Sequence, residues 1–288
     1  MRGIRRLARR SWLREQFAAL KWTLASARTT REGLRFGQHL SAGIQVPAIA
    51  DSNGTNPLEE YFDAVTDGPG IWKFRHYFPI YHRHLAKFVG QEVHVAEIGV
   101  YSGGSLPMWR SYFGHDCQVY GIDIDPACAT HEGEGVRIFI GDQADPKFWE
   151  RFVAEVPRID VLIDDGGHEL QQQVTTLRCL LPRIAMGGVY ICEDIFGDAN
   201  LFHSYVDGLA HQLSSLRWEP EPVTGPDRSP AGSVRQQVTA TATARPVHQQ
   251  IASVHHYPLV TVIEKPERKV ERFETLRHGT VWHRGTWE

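Results

Sequence analysis

From Val93 onward, short apolar runs alternate with longer runs in which apolar residues recur at helical spacing. Continuous apolar runs are typical of parallel strands buried on both faces, and the helices that join such strands cover the sheet. The pattern therefore predicts an α/β fold, a mostly parallel sheet with helices on both faces. The predicted strands are Val93–Ile98, Gln118–Ile122, Val136–Ile140, Asp160–Ile163 and Val189–Cys192, and the predicted helices are Leu106–Phe113, Pro146–Glu155, Gln171–Ile184 and Leu201–Leu213.

The segments before this alternation are irregular. Residues 41–70 are rich in Gly, Pro, Asp, Asn and Ser, which favours loops, with one short helix near Leu58–Val65. A further helix is predicted over Tyr77–Phe88. We therefore expect an N-terminal extension at residues 1–66 and the main domain at residues 67–288.

The segments that follow the alternating strands and helices differ from them in composition. Residues 219–247 are rich in Pro, Thr, Ala and Gly and contain few large apolar residues, so they predict a mobile loop. Such a loop could be an acceptor lid or only a surface connection. The extended runs His248–His256 and Leu259–Glu264 predict a C-terminal antiparallel hairpin that closes the edge of the sheet.

The N-terminal extension is strongly basic. Residues 1–40 contain ten Arg or Lys and two Glu, while the whole chain has a net charge of −3, so the remainder is acidic. We favour a helix that packs on its own body or on a second subunit of a homo-oligomer. Peripheral membrane contact through residues 1–40 is the second possibility, and a nucleic-acid arm is less favoured.

Composition excludes several classes of protein. Hydrophobic residues make up 42% of the chain and charged residues 23%, which is typical of a globular protein and not of disorder. No apolar run approaches the ~20 residues of a membrane-spanning helix. The cysteines lack CxxC spacing, which argues against a zinc ribbon or a disulfide framework, so we expect a cytoplasmic setting. They are Cys117, Cys128, Cys179 and Cys192.

Glycines and carboxylates follow the predicted strands. The carboxyl ends of parallel strands meet at one edge of a sheet, where ligands bind, so these residues should converge on one crevice. The turn after the first strand is rich in glycine, which permits close approach of a ligand to the backbone. Asp123 ends the second strand and could accept hydrogen bonds from ribose hydroxyls, and Asp142 ends the third, where an adenine edge would lie. The candidate cofactor-binding residues are Glu97, Gly99, Gly103, Ser105, Asp123, Asp142 and Asp164.

This ordered set resembles the class I S-adenosylmethionine-dependent methyltransferases, with their Rossmann-like sheet. The turn is not GxGxxG, and no Gly-Lys-Ser/Thr follows it, so dinucleotide-binding and P-loop interpretations are disfavoured.

A second group of carboxylates follows the fourth and fifth strands. The motif Asp164-Asp165-Gly166-Gly167-His168 and the pair Glu193-Asp194 would crowd like charges into one crevice. A hard divalent cation relieves such repulsion, and all-oxygen ligation suits Mg²⁺, Ca²⁺ or Mn²⁺. His168 lies beside this cluster and is the candidate catalytic residue, because histidine is suited to accept a proton near neutral pH.

From about Asp67 to Lys265 the sequence resembles the metal-dependent sugar O-methyltransferases of antibiotic biosynthesis, which include the mycinamicin and macrocin methyltransferases. The resemblance implies S-adenosylmethionine as methyl donor, with His168 as the candidate base. It also implies Mg²⁺ held by Asp165, Glu193 and Asp194. The matching pieces are Thr66-Asp67-Gly68, His76-Tyr77, Ile80-Tyr81, Glu97–Ser105, Gly121–Asp123, Gly141-Asp142, Asp164–His168, Cys192–Ile195, His256–Leu259 and Glu264-Lys265.

The expected function is methyl transfer to a hydroxyl of a sugar on a glycosylated metabolite or glycolipid. A catechol-type small-molecule O-methyltransferase would use the same metal chemistry and is the alternative. A non-catalytic, membrane-associated nucleotide-binding protein is disfavoured, because it has no need of mutually repelling carboxylates. An RNA methyltransferase would need a basic surface near the crevice, whereas the body of this chain is acidic, so we expect no nucleic-acid partner.

Overall fold

The computed structural model describes residues 20–24, 26–27, 29–37, 56–197, 199–220 and 237–277. The chain divides into two compact units, Met1–Gly54 and Thr55–Glu288. The described residues of the first unit are helical and largely exposed, and residues 1–19 of the predicted basic helix lie outside the described residues. Among the described residues, no helix has both the length and the apolar character needed to cross a membrane.

The second unit is built on a seven-stranded sheet. Its strands are β1 (His94–Ile98), β2 (Gln118–Asp123), β3 (Val136–Ile140), β4 (Ile159–Asp164), β5 (Ile184–Cys192), β8 (Ser253–Tyr257) and β9 (Val260–Glu264). Their order in the sheet is β3-β2-β1-β4-β5-β9-β8. Strands β1 to β5 are parallel to one another, whereas β9 is antiparallel to both β5 and β8, so the last two strands form the predicted edge hairpin.

The helices form because their ends are specified locally. Asp145 caps the helix that begins at Pro146 by accepting a hydrogen bond from the Lys147 N–H, and Asn56 caps the helix at Pro57 in the same way. The helices of this unit are α1 (Pro57–Ala64), α2 (Tyr77–Leu85), α3 (Ser105–Phe113), α4 (Pro146–Glu155), α5 (Leu170–Leu180) and α6 (Phe202–Ser214).

Both faces of the sheet are buried, as the continuous apolar strands predict. Val95 of β1 packs into a core with α1, α2 and α3, whereas the next residue, Ala96, packs into a core with α4, α5 and α6. This alternation follows from the two-residue period of a strand. The expected fold class is therefore confirmed.

Two expectations on element boundaries are wrong. Residues 237–243, predicted as loop, form strand β7 (Gln237–Thr243), which pairs with β6 (Glu219–Pro220) and β10 (Arg272–Arg277) in a separate three-stranded sheet. Strand β5 begins at Ile184, the last residue of the helix predicted over Gln171–Ile184, because Ile184 pairs with Ile159 of β4. Helix α1 lies in the second unit, and its Leu58 is fully buried in the core of that unit. Residues 221–236 of the expected mobile loop lie outside the described residues.

Candidate active site

A cavity of about 670 Å³ opens at the carboxyl ends of β1 to β5 and is bordered on one side by residues 70–74. Because the strands are parallel, the turns that follow them converge here. Most of the predicted site residues line this cavity: Gly99, Ser105, Asp123, Asp142, Asp165, His168, Glu193 and Asp194. The described lining does not include Glu97, Gly103 or Asp164.

Gly99 lets the turns after β1 and β4 pass very close to each other. Its φ is +92°, and a Cβ built there would lie 1.9 Å from the carbonyl oxygen of Asp165. The Asp165 N–H donates to the carbonyl oxygen of Ile98 at 3.0 Å, which fixes this crossing. Gly103 packs against the ring of His131, where a Cβ would lie 2.5 Å from Nδ1.

Asp123 is a charged acceptor held by the backbone. Its Oδ2 accepts from the N–H groups of Val100 and Tyr101 at 2.9 and 3.0 Å, and its Oδ1 accepts from the Asp125 N–H at 2.9 Å. Partial burial opposes ionisation, but these hydrogen bonds outweigh it and lower the pKa of Asp123. Asp142 is exposed on the next strand end, and its Oδ1 accepts from the Ala144 N–H at 2.7 Å.

Asp164 does not reach the cavity, which corrects its assignment as a cofactor-binding residue. Its side chain is fully buried, with Oδ1 accepting from Gln143 Nε2 at 2.6 Å and Oδ2 accepting from the Tyr190 hydroxyl at 2.9 Å. Burial raises the pKa of Asp164 to about 7, although these two hydrogen bonds oppose the shift. The neighbouring Asp165 carries its side chain into the cavity instead.

Lys73 lies among the acidic residues, and no motif in the sequence predicted this position. Its side chain is only 3% exposed, and Nζ lies 2.5 Å from Asp165 Oδ2, 2.9 Å from Glu193 Oε2 and 3.8 Å from Glu97 Oε1. Burial disfavours the ammonium, but the charges of Glu193, Asp165 and Glu97 outweigh it and raise the pKa of Lys73. Lys73 therefore remains protonated and neutralises part of the cluster.

Glu97 and Glu193 are fully buried and turned toward other residues. Glu97 Oε2 accepts from Ser105 Oγ at 2.7 Å, and burial raises the pKa of this carboxyl. Glu193 Oε1 accepts from the Tyr81 hydroxyl at 2.7 Å, while its other oxygen accepts from Lys73. Both glutamates therefore contact the cluster, Glu193 from the lining of the cavity and Glu97 from outside the described lining.

His168 lies between Asp165 and Asp194. Its Nε2 is 4.0 Å from Asp165 Oδ1 and 3.9 Å from Asp194 Oδ2, and its buried Nδ1 has no hydrogen-bond partner among the described residues. The Tyr77 hydroxyl donates to Asp194 Oδ1 at 2.6 Å and so orients this carboxylate. His168 and Asp194 have φ of +58° and +54°, a strained conformation for non-glycine residues that is typical of functional sites.

The side chains around His168 offer atoms that could hold a divalent cation. Asp165, His168 and Asp194 each offer one ligand atom, and these atoms all lie within 4.8 Å of one another. Two carboxylates facing one space fit a hard cation. Glu193, the third expected ligand, also lines the cavity, and each of its oxygens accepts one hydrogen bond.

The strand order and the crevice at the carboxyl ends of the strands define a class I S-adenosylmethionine-dependent methyltransferase fold. A methyltransferase from the mycinamycin biosynthetic pathway, solved in complex with Mg and SAH, matches with a TM-score of 0.52 and 29% identity, covering 73% of this chain and 54% of that one.

The chain is similar to sugar O-methyltransferases, which confirms the resemblance. It is 31% identical over 218 residues to mycinamicin VI 2''-O-methyltransferase from Micromonospora griseorubida, covering 67% of this chain and 49% of that one. It is 33% identical over 167 residues to demethylmacrocin O-methyltransferase from Streptomyces fradiae, covering 49% and 42%. The chain thus spans about half the length of these curated relatives or less. No protein-family model matches it.

Proposed function

We propose that this protein is an S-adenosylmethionine-dependent, Mg²⁺-assisted O-methyltransferase that methylates a hydroxyl of a sugar on a glycosylated metabolite or glycolipid. The observation that carries the proposal is one cavity lined both by the Asp123 turn and by Asp165, His168 and Asp194. The names of the relatives support the sugar acceptor and a role in antibiotic biosynthesis, and the Mg and SAH in the solved relative support the two cofactors.

The donor side of the cavity is a binding surface. Asp123 presents a fixed negative charge suited to ribose hydroxyls, because three backbone N–H groups hold its carboxylate in place. Gly99 lines the same part of the cavity, and its missing side chain lets the turn at Asp165 approach closely. Asp142 at the next strand end would contact the adenine edge.

On the acceptor side of the cavity, His168 and the nearby carboxylates can move a proton. When bound, S-adenosylmethionine would supply an electrophilic methyl group, and Mg²⁺ held by Asp165, Glu193 and Asp194 would make an acceptor hydroxyl more acidic. His168 Nε2 takes the hydroxyl proton as the new oxygen–carbon bond forms and the sulfur–carbon bond breaks. Asp165 and Asp194, about 4 Å away, stabilise the resulting imidazolium. Alignment within the enclosed cavity favours the in-line transfer.

The test is methyl transfer from labelled S-adenosylmethionine to a panel of glycosides, with and without Mg²⁺. We expect His168→Ala to lower the rate about 10²–10⁴-fold, the range for one positioned proton acceptor, while metal binding persists. His115→Ala is the matched control, because that side chain is 87% exposed in a surface turn. Full activity in the presence of a chelator would refute the metal-assisted reaction, and loss of the metal in His168→Ala would make His168 a ligand.

We also propose that the enzyme is cytoplasmic and homo-oligomeric, and that residues 1–40 make a peripheral contact with a membrane. The described part of this segment exposes Leu20, Leu24, Leu34 and Phe36 among basic residues, a composition suited to an anionic membrane surface. Packing on a second subunit would use the same side chains. Sedimentation with anionic liposomes and measurement of mass in solution separate the two.

A further inference from the structure

Among the described residues, a second group of metal-ligating side chains lies where helix α2 meets the edge hairpin of β8 and β9. One ligand atom each of His84, His255 and Glu264 lies within 4.8 Å of the others. None of these three residues belongs to the described lining of the cavity. The proposed methyl transfer therefore leaves this group of side chains without a role.

The register of the hairpin brings half of this group together. Ser253 of β8 pairs directly with Glu264 of β9. His255 lies two residues further along β8 and therefore on the same face of the sheet as Ser253. The Ser253 Oγ lies 2.8 Å from Glu264 Oε2 and 3.0 Å from His255 Nε2. The two strands thus present an imidazole, a carboxylate and a hydroxyl to one small space at the edge of the sheet.

Helix α2 supplies the other half. His84 is buried near the end of this helix, and its Nδ1 lies 2.9 Å from Glu264 Oε1. His255 Nε2 lies 3.6 Å from the other oxygen of the same carboxylate, and the two imidazole rings are 4.8 Å apart between centroids. Ligand atoms in a tetrahedral zinc site are separated by about 3.3 Å, given the usual bond lengths. The observed spacing therefore fits such a site with small movements of the side chains.

The orientation of His84 also fits a metal ligand. Its second ring nitrogen, Nε2, lies 2.9 Å from the hydroxyl oxygen of Tyr257, which is on the same face of β8 as His255. Metal-binding histidines almost always bond their second nitrogen to such an outer partner, which fixes the orientation of the ring. Tyr257 thereby leaves Nδ1 of His84 directed at the space beside Glu264.

The surroundings favour a metal that binds strongly to nitrogen. Arg83 and Lys87 lie close enough to influence the charge of His84 and of Glu264, respectively. These cations, together with the single carboxylate, disfavour a hard ion such as Mg²⁺, whereas imidazole nitrogens suit Zn²⁺ and related transition ions. The side chains of His255 and Glu264 are 38% and 29% exposed, so an ion can reach them from solvent.

From this geometry we propose that His84, His255 and Glu264 form a second metal site, which takes Zn²⁺ or a similar divalent transition ion and links α2 to the edge hairpin. His84 and Glu264 are 180 residues apart in the chain, so the ion would join distant segments. Binding to the folded protein alone would stabilise it.

The position of the site on α2 gives the link a consequence for the cavity. Tyr81 and Tyr77 precede His84 on this helix and lie on the same face of it. Their hydroxyls donate to Glu193 at 2.7 Å and to Asp194 at 2.6 Å. An ion bound at the end of α2 would therefore hold in place the helix that orients these two carboxylates.

The experiment is a Zn²⁺ titration of the full-length protein in competition with a chromophoric chelator, in saturating Mg²⁺ so that the carboxylates of the cavity are occupied. His255→Ala and Glu264→Gln each remove one ligand and should weaken Zn²⁺ binding by more than about 100-fold, whereas Tyr257→Phe removes only the outer partner and should weaken it about 10–100-fold. His115→Ala, whose side chain is 87% exposed, is the control and should bind Zn²⁺ as the wild type does.

Two further measurements assign the ion to this site. His168→Ala and Asp194→Asn alter the cavity and should keep Zn²⁺ binding under the same conditions, so loss of the ion in these variants instead of in His255→Ala overturns the inference. Zn²⁺ should also raise the melting temperature of the wild type and leave that of His255→Ala unchanged.

The remaining outcomes are also decisive. Absence of Zn²⁺ binding, or equal binding by the wild type, His255→Ala and Glu264→Gln, overturns the inference and leaves the proposed methyl transfer intact. If His255→Ala does not fold, Glu264→Gln and Tyr257→Phe decide, because both nearly preserve the shape of the side chain. Zn²⁺ affinity that follows the predicted order, with Tyr257→Phe between the wild type and Glu264→Gln, supports the site.

Discussion

The buried carboxyl of Asp164 should make the stability of the protein depend on pH in a direction opposite to that of most aspartates. Its only described side-chain partners are the Gln143 amide and the Tyr190 hydroxyl, neither of which carries a positive charge. Asp164→Asn is nearly isosteric and cannot ionise. The difference in unfolding free energy between the wild type and this variant therefore isolates the titration of one group.

The sign follows from the raised pKa. In the folded protein the pKa of Asp164 is about 7, against a reference value of 3.8. Between these values the folded state holds a proton that the unfolded chain has released. The stabilising contribution is therefore complete below the unfolded pKa and is lost as pH rises through the folded pKa. The expected slope is about 1.4 kcal/mol per pH unit, and the total loss is about 4 kcal/mol.

The assay is urea unfolding of both proteins from about pH 4.5 to 8, in chelator so that the neighbouring carboxylates hold no metal. The wild type should lose stability relative to Asp164→Asn across this range. Asp116→Asn is the control, because that side chain is 74% exposed and should show no such trend. Parallel pH profiles for the wild type and Asp164→Asn would refute the reasoning. Donor affinity should be unchanged in Asp164→Asn, because the carboxylate lies outside the cavity.

Three further predictions concern the donor side and the N-terminal segment. Asp123→Ala should weaken S-adenosylmethionine binding by roughly 1.5–3 kcal/mol, and unchanged affinity in calorimetry would remove Asp123 from the site. Gly99→Ala should destabilise the protein by about 3 kcal/mol or more, because the new Cβ meets backbone and φ is positive. Gly133→Ala, with no atom within 4 Å of its Cβ position, should melt like the wild type, and equal melting of both variants would contradict this account. If residues 1–40 contact a membrane, the full chain should sediment with anionic liposomes in a salt-sensitive manner, and equal sedimentation of a truncation lacking residues 1–40 would favour packing instead.

Much of the fold could be predicted because its signals are local. Apolar runs specify strands, and capping residues such as Asp145 specify where helices begin. Strand β7 was missed because its partner β10 lies in a distant part of the chain, and a Thr- and Ala-rich run shows little periodicity without that partner. The helix predicted to end at Ile184 was too long for a similar reason, since pairing with β4 converts that residue to strand.

The sequence by itself determined that Asp123, Asp165 and Asp194 would meet, because parallel strands bring their carboxyl ends to one edge. Only the tertiary structure decided which adjacent carboxylates enter the cavity. Asp164 and Asp165 look equivalent in sequence, yet one is buried beside Tyr190 and the other lines the crevice. Lys73 reaches Asp165 and Glu193 across 92 and 120 residues of chain. No local pattern encodes such a contact, because it arises only when the loop before α2 packs over the completed sheet.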